Sequence, residues 1–546
     1  MQRDAALVAT ERLYSIANIL GDSGNNQAGI SAEFLAKLRE SLLTDPDLPK
    51  ADPTISLWQE PANPKVASIR SAVLPKYTDY IVIGSGITGC SITKGLLDNS
   101  PARFGNKPHV TVLEARTLVS GATGRNGGHL VSPAGHYYDS LAKRHGKEAA
   151  ADICRFSILN VETVMELIGR LDPSIAQESQ FRAVTRITNA IDKETLQEFD
   201  ASLAAFRAAV PEYRAYHSEI QAHSMADVSK LALNFTVHTL TSQKWNLKDC
   251  SGSIEHKAAA LWPYRLITGI FSDLLDRYPY NLAIETNTPA VSVETVNPEL
   301  SAIPGSDYKY CVTTPRGIIY AKQVIHCTNG HAAHLLRPLL GKLHPFRGTM
   351  SVQKPPASVA NLGAERSWSA VFPTTLDANT GLYTEGLYYM QQNARDGNIW
   401  VGHERSSIFE TMQGDDTYVS QEAYEALLKF LPAYMRDWPE GVEPDLKGIW
   451  TGIQGHTTDG LPIIGKLTES LNGRPGSDGE WFCGGYSGYG MDKAWLSGQA
   501  LVKMIHGEGA PDWLPKCFLI DNQRMEKLTL ENSIAKWVSL ARTGHW

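Results

Sequence analysis

The alternation of apolar and polar residues is clearest in one early stretch of the chain. Residues 80–84 form a short run of aromatic and β-branched residues that ends at glycine, which predicts a strand buried on both faces. Residues 87–98 then carry apolar side chains at helical spacing, and residues 109–113 repeat the buried-strand pattern. The pattern therefore predicts a strand–helix–strand unit with a surface insert at 99–109.

The same patterns predict the elements around this unit. Helices are expected at 3–20 and at 32–43, the second capped by Ser31. Six prolines between residues 45 and 76 prevent helix continuation and predict an extended strap, anchored by Leu57 and Trp58. Further helices are expected at 138–169, 192–209, 258–275 and 491–506, an undefined element at 217–226, strands at 282–286, 291–296, 308–314, 318–321 and 323–327, and an antiparallel sheet within 342–450.

Glycines follow the first predicted strand as G-S-G-I-T-G. Gly84 permits a tight turn, Gly86 lets the backbone approach a pyrophosphate, and Gly89 allows the helix to pack closely on the strand. The free N–H groups of the helix N-terminus attract phosphate, and Glu114, which ends the second strand, can accept hydrogen bonds from ribose hydroxyls. This order predicts a dinucleotide site, with an ordinary glycine-rich turn as the alternative.

Three further glycine-rich stretches point to the same ligand. Residues 120–129 read S-G-A-T-G-R-N-G-G-H, a loop dense in backbone N–H groups that favours a second phosphate contact over a merely flexible loop. The strand at 323–327 ends in Thr328, Asn329 and Gly330, as expected at the carboxyl edge of a sheet, where ligands bind. Residues 481–490 run from a strand into a glycine-rich turn before a helix.

Composition limits the class of protein. The chain has 546 residues, 42% hydrophobic and 20% charged, which is typical of a soluble globular protein of two or three domains. A net charge of −7 gives no reason to expect nucleic acid or an anionic membrane as partner, and no apolar run is long enough to span a bilayer. Seven scattered cysteines without a C-x-x-C pair predict neither a disulfide framework nor a metal site, and favour the cytoplasm.

Over residues 77–510 the chain resembles the flavin-dependent oxidoreductases of the D-amino-acid oxidase, glycine oxidase and sarcosine oxidase family. Within that family it is similar to the branch of γ-glutamylputrescine oxidase-like enzymes and their fungal relatives. The matching motifs are G-S-G-I-T-G with Glu114, G-A-T-G-R-N-G-G-H, C-T-N-G-H, D-G-L-P-I-I-G and G-Y-S-G-Y-G-M. Five motifs in this order imply FAD, whereas an NAD-dependent dehydrogenase would need only the first.

The resemblance implies an α/β fold in which a Rossmann-like FAD-binding domain is interleaved with an antiparallel-sheet substrate domain. The expected FAD-binding segments are 77–170, 251–341 and 451–510. The expected substrate-domain segments are 171–250 and 342–450. Residues 1–76 are expected to form a helical and proline-rich extension, and residues 511–546 a C-terminal tail.

The resemblance also implies a reaction and a set of cofactor residues. FAD accepts a hydride from the carbon next to a neutral amine nitrogen of a small amine or amino acid, which leaves an imine. The second glycine loop is then a contact for phosphate and for the flavin ribityl chain. The residues expected at FAD are Gly84, Ser85, Gly86, Ile87, Thr88, Gly89, Glu114, Ala115, Arg116, Ala122, Thr123, Gly124, Arg125, Asn126, Gly127, Gly128, His129, Val291, Thr328, Asn329, Gly330, Gly460, Gly485, Tyr486, Gly488, Tyr489, Gly490 and Met491.

The sequence departs from the family pattern at three places. No cysteine stands near residues 454–458, and Arg125 occupies the position of a flavin-linked histidine, so that FAD is expected to be noncovalent unless His129 forms the link. Trp400 aligns with a lysine that speeds oxygen reduction in some relatives, which leaves O2 or another acceptor open.

Four residues are expected to act in catalysis or substrate binding: Trp400, His403, Tyr489 and Arg347. Arginine suits a substrate carboxylate, but Arg347 fits a structural ion pair equally well. The competing function is a non-catalytic, flavin-binding interaction protein that uses residues 1–76 as a docking segment. The identity of the substrate and the oligomeric state do not follow from the sequence.

Overall fold

The computed structural model describes residues 30–99, 107–214, 248, 250–296 and 307–544. The helix predicted at 3–20, the element predicted at 217–226 and most of the insert at 99–109 lie outside these residues. The strands are β1 (Tyr77–Ile83), β2 (Val110–Leu113), β3 (His129–Leu130), β4 (Arg182–Ala190), β5 (Gly252–Ala260), β6 (Leu282–Glu285), β7 (Ser292–Thr295), β8 (Tyr310–Thr314), β9 (Gly317–His326), β10 (Leu343–Lys354), β11 (Arg366–Val371), β12 (Thr375–Leu376), β13 (Leu382–Thr384), β14 (Leu387–Gln392), β15 (Ile399–His403), β16 (Arg405–Ser407), β17 (Asp445–Thr457), β18 (Ile463–Lys466) and β19 (Glu480–Gly484).

The α-helices connect and cover these strands. They are α1 (Ala32–Leu43), α2 (Ile87–Asn99), α3 (Ala134–His145), α4 (Lys147–Arg170), α5 (Pro173–Glu178), α6 (Lys193–Ala209), α7 (Pro263–Arg277), α8 (Ala332–Leu335), α9 (Ile408–Thr411), α10 (Gln421–Tyr434), α11 (Glu469–Asn472), α12 (Ala494–Ile505), α13 (Asn522–Met525) and α14 (Leu530–Thr543). None of the helices in the described part of the chain combines the length and apolar composition that crossing a membrane requires.

The first sheet has the order β18-β19-β9-β1-β2-β6, and the hairpin β7–β8 continues from β9. Strands β19, β9, β1, β2 and β6 run parallel. Their side chains are buried on both faces, as the continuous apolar runs predicted. Helices α2 and α12 pack together so closely that a Cβ on Gly95 would lie 2.9 Å from Val502. The expected α/β fold is confirmed.

The second sheet has the order β17-β10-β15-β14-β11-β4-β5-β3. Its neighbours are antiparallel except β11 and β4, which run parallel. One face packs on α10, where Trp368, Met390 and Leu427 form a buried cluster. The opposite face is turned toward the glycine-rich loops of the first sheet. This arrangement places the boundary between the two sheets at the motifs singled out in the sequence.

A third, three-stranded sheet, β12-β13-β16, lies beside the N-terminal and C-terminal helices. Phe34 and Leu38 of α1 share a buried cluster with Trp537 of α14. Helix α1 begins at its predicted residue, because Ser31 Oγ accepts a hydrogen bond from the Phe34 N–H at 3.1 Å. The described part of the N-terminal extension is therefore packed into the body of the protein.

The structure corrects several predicted elements. The helix predicted at 258–275 begins only at Pro263, because residues up to Ala260 belong to β5. The strands predicted at 318–321 and 323–327 form one continuous strand, β9. The helical stretch predicted at 138–169 is divided at Gly146, whose φ of 87° is unfavourable for other residues.

The predicted domain limits do not coincide with the change from one sheet to the other. Strand β5, placed in the cofactor domain by the limit at 251, pairs with β4 of the second sheet along its whole length. Strand β3 joins the second sheet by pairing with β5, and β17 continues past residue 450 to Thr457. Sequence patterns mark strands but carry no information on which distant strand each one pairs with.

Candidate functional site

The first glycine loop is shaped by close backbone contacts. Gly84 has a φ of 106°, and a Cβ at this position would lie 2.8 Å from the carbonyl oxygen of Cys327 at the end of β9. A Cβ on Gly89 would lie only 2.0 Å from the carbonyl oxygen of Gly84. Glycine is thus required at both positions by the fold itself, as the motif predicted.

Glu114 connects this loop to the second one. Its Oε2 accepts hydrogen bonds from the Ser85 hydroxyl at 2.6 Å and the Ser85 N–H at 3.2 Å, and its Oε1 accepts one from the Arg116 N–H at 3.0 Å. The Ser85 hydroxyl oxygen in turn accepts the Val119 N–H at 2.8 Å. A carboxylate has about four acceptor positions, so that these bonds leave capacity for a ribose hydroxyl.

The second glycine loop is held by the proline-rich strap. The Ser56 hydroxyl donates to the Gly124 carbonyl at 2.7 Å, and the Gln59 amide donates to the carbonyls of Ser120 and Gly124. The indole N–H of Trp58 donates to the Asn126 carbonyl. The sequence predicted an anchoring role for Trp58 but did not show that the strap would reach the loop.

Two polar residues of the second loop are occupied by protein partners. Arg125 donates to the carbonyls of Ser120 and Thr451 at 2.8 and 2.7 Å, and burial lowers the pKa of its guanidinium to about 10. The Nδ1 atom of His129 lies 3.0 Å from Arg186, and burial followed by the charge of Arg186 holds its pKa well below the usual value. His129 is therefore a neutral imidazole beside a cation.

The remaining motifs meet at the carboxyl edge of the first sheet. The Asn329 side-chain oxygen, at the end of β9, accepts the Gly485 N–H at 2.9 Å, at the end of β19. Tyr486 and Thr88 share a hydroxyl–hydroxyl contact of 2.8 Å, which ties the last motif to the first helix. Thr328 and Asn329 are half-buried, and the buried Thr328 hydroxyl has no hydrogen-bond partner among the described residues. The predicted third core strand is confirmed, and ligand binding at its carboxyl edge stays a prediction.

Three tyrosines lie beside these loops. The Tyr489 hydroxyl donates to the Tyr137 hydroxyl at 2.7 Å, and a Cβ on Gly127 would lie 2.7 Å from the Tyr389 ring. All three residues are half-buried, and loss of hydration is the largest cause of their raised pKa values. Of these, the sequence had singled out only Tyr489.

The other three expected catalytic residues make contacts elsewhere in the second sheet. Trp400 faces the glycine loops, but its ring stacks on Trp58 at 3.6 Å and is only 4% exposed. His403 is three residues further along the strand and faces the other way, where it stacks on Tyr388 at 3.8 Å. Burial lowers the pKa of His403 to about 3.

Arg347 lies on the same far face as His403. Its guanidinium carbon is 4.3 Å from the centre of the Tyr418 ring, and one guanidinium nitrogen is 3.6 Å from a Glu410 oxygen. Its side chain is fully buried. The contact with Glu410 is an ion pair without a hydrogen bond, because none of the three buried guanidinium nitrogens has a hydrogen-bond partner in the described part of the chain. Both alternatives left open by the sequence, a substrate carboxylate and a structural ion pair, stay predictions.

The family model for FAD-dependent oxidoreductases, abbreviated DAO, matches residues 79–504. The chain belongs to the DAO family of FAD-dependent oxidoreductases. The resemblance expected from the motifs is thereby confirmed, the protein is an enzyme, and its cofactor is FAD.

Individual DAO-family proteins are distant from this chain. The gamma-glutamylputrescine oxidoreductase of Escherichia coli (strain K12) is 23% identical over 434 residues, which cover 79% of this chain and 84% of that protein. Glycine oxidase from Geobacillus kaustophilus has 14% identity and a TM-score of 0.57, covering 82% of this chain and 99% of that one. L-proline dehydrogenase from P. horikoshii has 16% identity and a TM-score of 0.55, covering 84% and 100%. These structural likenesses show a shared fold.

The residues at the sheet edge fit the DAO-family cofactor. Gly84 and Gly86 keep accessible surface at the N-terminus of α2, where a Cβ on Gly86 would already touch Thr123 Oγ1 at 3.0 Å. Gly488 is exposed, with a φ of 87°, beside the side chain of Gln454. A cradle bounded by glycines at both ends suits a long dinucleotide better than a compact ligand.

Three of the predicted cofactor positions already make contacts within the protein. The Ile87 N–H donates to Thr123 Oγ1 at 2.9 Å, which occupies one donor of the helix N-terminus. The Val291 N–H donates to the Thr313 carbonyl at 2.8 Å. Gly460, with a φ of 77°, lies close to Arg144. The Gly460 N–H also donates to the Thr457 carbonyl at 3.2 Å, so that the carbonyls of Val291 and Gly460 are left for a ligand.

Proposed function

We propose that this DAO-family enzyme oxidises a C–N bond in a small amine or amino acid. FAD, when bound, supplies a two-electron hydride acceptor. The C–H bond next to the nitrogen breaks, the hydride leaves with both electrons, and the nitrogen lone pair forms the C=N bond of an imine. The observation that supports this reaction is the meeting of the glycine-rich loops at the carboxyl edge of the parallel sheet, with the hydrogen-bonded pair Tyr137 and Tyr489 beside them.

The three tyrosines position a substrate and exclude water from it. Their raised pKa values keep them neutral and hydrogen-bonding at physiological pH. The two histidines expected near the site are unsuited to act as a base, because His403 faces the far side of the sheet and His129 sits against Arg186. The substrate amine must therefore reach the site in its neutral form, without either histidine removing its proton.

Anaerobic mixing with a panel of amines and amino acids tests the reaction. We expect bleaching of the flavin by at least one amine, with a rate that rises across the pKa of the substrate amine. Because the pKa of His403 is about 3, His403→Gln is expected to leave that pH profile unchanged. A panel that leaves the flavin oxidised would instead support a non-catalytic role.

The attachment of FAD and the electron acceptor extend the proposal. Noncovalent FAD is supported by the neutral, arginine-bound state of His129, and acid precipitation should leave the colour in the supernatant. Slow reoxidation by O2 is supported by the position of Trp400, which is covered by Trp58 and brings no cation to the loops. The seven free cysteines support the cytoplasm as the compartment.

A further inference from the structure

One face of strand β17 is turned toward the cofactor loops. A Cβ on Gly452 would lie 2.9 Å from the Cβ of Arg125 in the second glycine loop. Two residues further along, the side-chain oxygen of Gln454 lies 3.2 Å from the position of a Cβ on Gly488, which is exposed. Because side chains alternate between the two faces of a strand, His456 is the next side chain on the face that meets these loops.

The backbone on either side of His456 is bonded to the last glycine-rich turn. The Ser487 N–H donates to the Gly455 carbonyl at 2.8 Å, and the Thr457 N–H donates to the Ser487 hydroxyl at 3.3 Å. The same turn continues to Tyr489, one of the three tyrosines beside the cofactor loops. His456 therefore lies at the edge where the predicted flavin contacts meet.

The ring of His456 is held by aromatic packing. It stacks on Phe346, with ring centroids 4.2 Å apart and an angle of 21° between the planes. Phe346 in turn stacks on Trp537 of α14, with centroids 5.6 Å apart. The same helix reaches the end of β17 through Lys536, whose ammonium donates to the Thr457 carbonyl at 3.2 Å. The imidazole is thus supported by a helix that follows the part of the chain matched by the family model.

The two ring nitrogens of His456 differ in their bonding. Nε2 lies 3.0 Å from the side-chain oxygen of Gln454, which can only accept, so that Nε2 carries the hydrogen. Burial, followed by the positive charge of Lys536, holds the pKa of His456 well below its usual value, and the ring is neutral. Nδ1 then has a lone pair, and within the described part of the chain no group donates a hydrogen bond to it.

The cross-strand neighbour of His456 is arranged differently. His344 lies directly opposite it in the register of β10 and β17, with ring centroids 6.2 Å apart. His344 is only 1% exposed, and neither of its ring nitrogens has a hydrogen-bond partner among the described residues. His456 is half-buried, so that a ligand can reach it, whereas His344 is closed off and provides a matched control.

We propose that His456 Nδ1 accepts a hydrogen bond from the amine nitrogen of the substrate, and that the enzyme selects primary and secondary amines over tertiary ones. Only primary and secondary amines keep an N–H bond in their neutral form. Donation from this N–H leaves the nitrogen lone pair free to form the C=N bond when the hydride departs. Gln454 is a positioning residue, because its oxygen keeps the hydrogen on Nε2 and the acceptor on Nδ1. This inference rests on the proposed amine oxidation.

Ligands that are neutral during the measurement test this contact without turnover. The trifluoromethyl group makes N-methyl-2,2,2-trifluoroethylamine and its N,N-dimethyl analogue weak bases and poor hydride donors, so that both are neutral at about pH 8. Each is titrated into the oxidised holoenzyme, and binding is followed by the change in flavin absorption. The N-methyl compound, which has one N–H, should bind about two- to tenfold more tightly, as expected for one neutral hydrogen bond.

Three variants show which side chain carries this preference. His456→Phe keeps a ring that can stack on Phe346 but removes the acceptor, and it should bind both ligands equally. His456→Asn, whose amide oxygen can take the place of Nδ1, should recover part of the preference. His344→Leu should keep the full preference even if it lowers the melting temperature. If His456→Phe does not fold, His456→Leu replaces it.

Equal binding of the two ligands by the wild type, or a preference retained in His456→Phe, overturns the assignment of His456. A preference that His344→Leu loses, or that His456→Asn does not recover, assigns the effect to packing and also overturns it. A changed flavin spectrum in ligand-free His456→Phe overturns it too, because the ring would then contact FAD. A preference for the N–H ligand in an enzyme whose flavin no amine reduces supports the contact and removes the proposed reaction.

Discussion

The two glycine-rich loops at the site differ in what holds them. The first loop is shaped by its own strand–helix unit and by the adjacent strand β9, since the carbonyl of Gly84 excludes a side chain on Gly89 and Cys327 excludes one on Gly84. The second loop takes its hydrogen bonds from the strap, more than 60 residues earlier in the chain, through Ser56 and Trp58.

The comparison shows that two glycine-rich motifs can depend to different degrees on contacts from outside the motif. The first motif is mainly local, because Gly89 is constrained by the Gly84 carbonyl of the same unit, and Cys327 of β9 adds a contact at Gly84 from outside it. The second is a set of backbone donors whose conformation depends on the strap, and the strap precedes the residues 79–504 matched by the family model. In this protein a segment outside the shared fold supports a cofactor loop.

The largest effect is expected from Gly89→Ala in the first loop. The new Cβ would lie 2.0 Å from the Gly84 carbonyl oxygen, and neither backbone can move without opening the loop. Overpacking of this kind costs about 1–3 kcal/mol or more, and the purified protein should lack FAD. The flavin-to-protein absorbance ratio measures this, with Gly169→Ala as control because a Cβ there meets nothing within 4 Å. Full FAD content in Gly89→Ala would contradict our account of the first loop.

Trp58→Ala should weaken FAD binding less than Gly89→Ala does, although it costs the fold more stability and changes neither loop. It removes a ring that is 2% exposed, stacked on Trp400, and bonded to the Asn126 carbonyl. Large-to-small aromatic substitutions cost about 3–5 kcal/mol. We expect a lower melting temperature and weaker FAD binding.

Trp481→Phe and Trp58→Phe form the matched pair for this prediction. Each loses one indole hydrogen bond, but that of Trp481 is to Gln323, away from the second loop. Only Trp58→Phe should weaken FAD binding. Equal FAD affinities in the two variants would mean that the strap contributes packing but that its hydrogen bond from Trp58 does not support FAD binding.

Ser85→Ala should have an intermediate effect, confined to the first loop. It removes the hydroxyl that donates to Glu114 and accepts from the Val119 N–H, leaving a buried carboxylate oxygen with one partner fewer. Loss of a bond to a charged group costs about 1.5–3 kcal/mol. Thermal unfolding with and without added FAD should show reduced stability in both conditions. An unchanged melting temperature would show that Glu114 does not need this bond.

Ser56→Ala should have the smallest effect. Its hydroxyl donates one hydrogen bond to the Gly124 carbonyl, a neutral pair that contributes about 0.5–1.5 kcal/mol. The flavin should remain bound but dissociate faster, which stopped-flow mixing with an excess of an FAD-binding apoprotein measures. Ser358→Ala, which removes a hydroxyl bonded to the Asp437 carbonyl near the surface, is the control. If Ser358→Ala accelerated FAD dissociation more than Ser56→Ala, the inference that the strap supports the second loop would be wrong.

Much of the fold was predictable because it follows from local patterns. The strand–helix–strand unit, the cap of α1 at Ser31 and the carboxyl-edge position of Asn329 were all predicted from short stretches. The errors arose where one residue pattern is compatible with both a helix and a strand. Residues 258–260 are alanines, which suit a helix, and only their pairing with β4 makes them a strand.

The candidate site was predictable only in part. Cofactor glycines are visible in sequence because few residue types satisfy positive φ values and close backbone contacts. Catalytic roles for His403 and Arg347 were inferred from residue type, and strand alternation together with contacts to Tyr388 and Tyr418 places both side chains on the face away from the loops. Tyr137, which is hydrogen-bonded to Tyr489, carried no motif and was missed.

The sequence by itself determined the parallel sheet, the cofactor motifs and their order, because backbone conformation and burial periodicity are properties of neighbouring residues. The tertiary structure alone decided which side chains lie beside the cofactor loops. A tyrosine acquires its role from the groups around it, and Tyr137, Tyr389 and Tyr489 come from three separate parts of the chain: α3, β14 and the turn after β19.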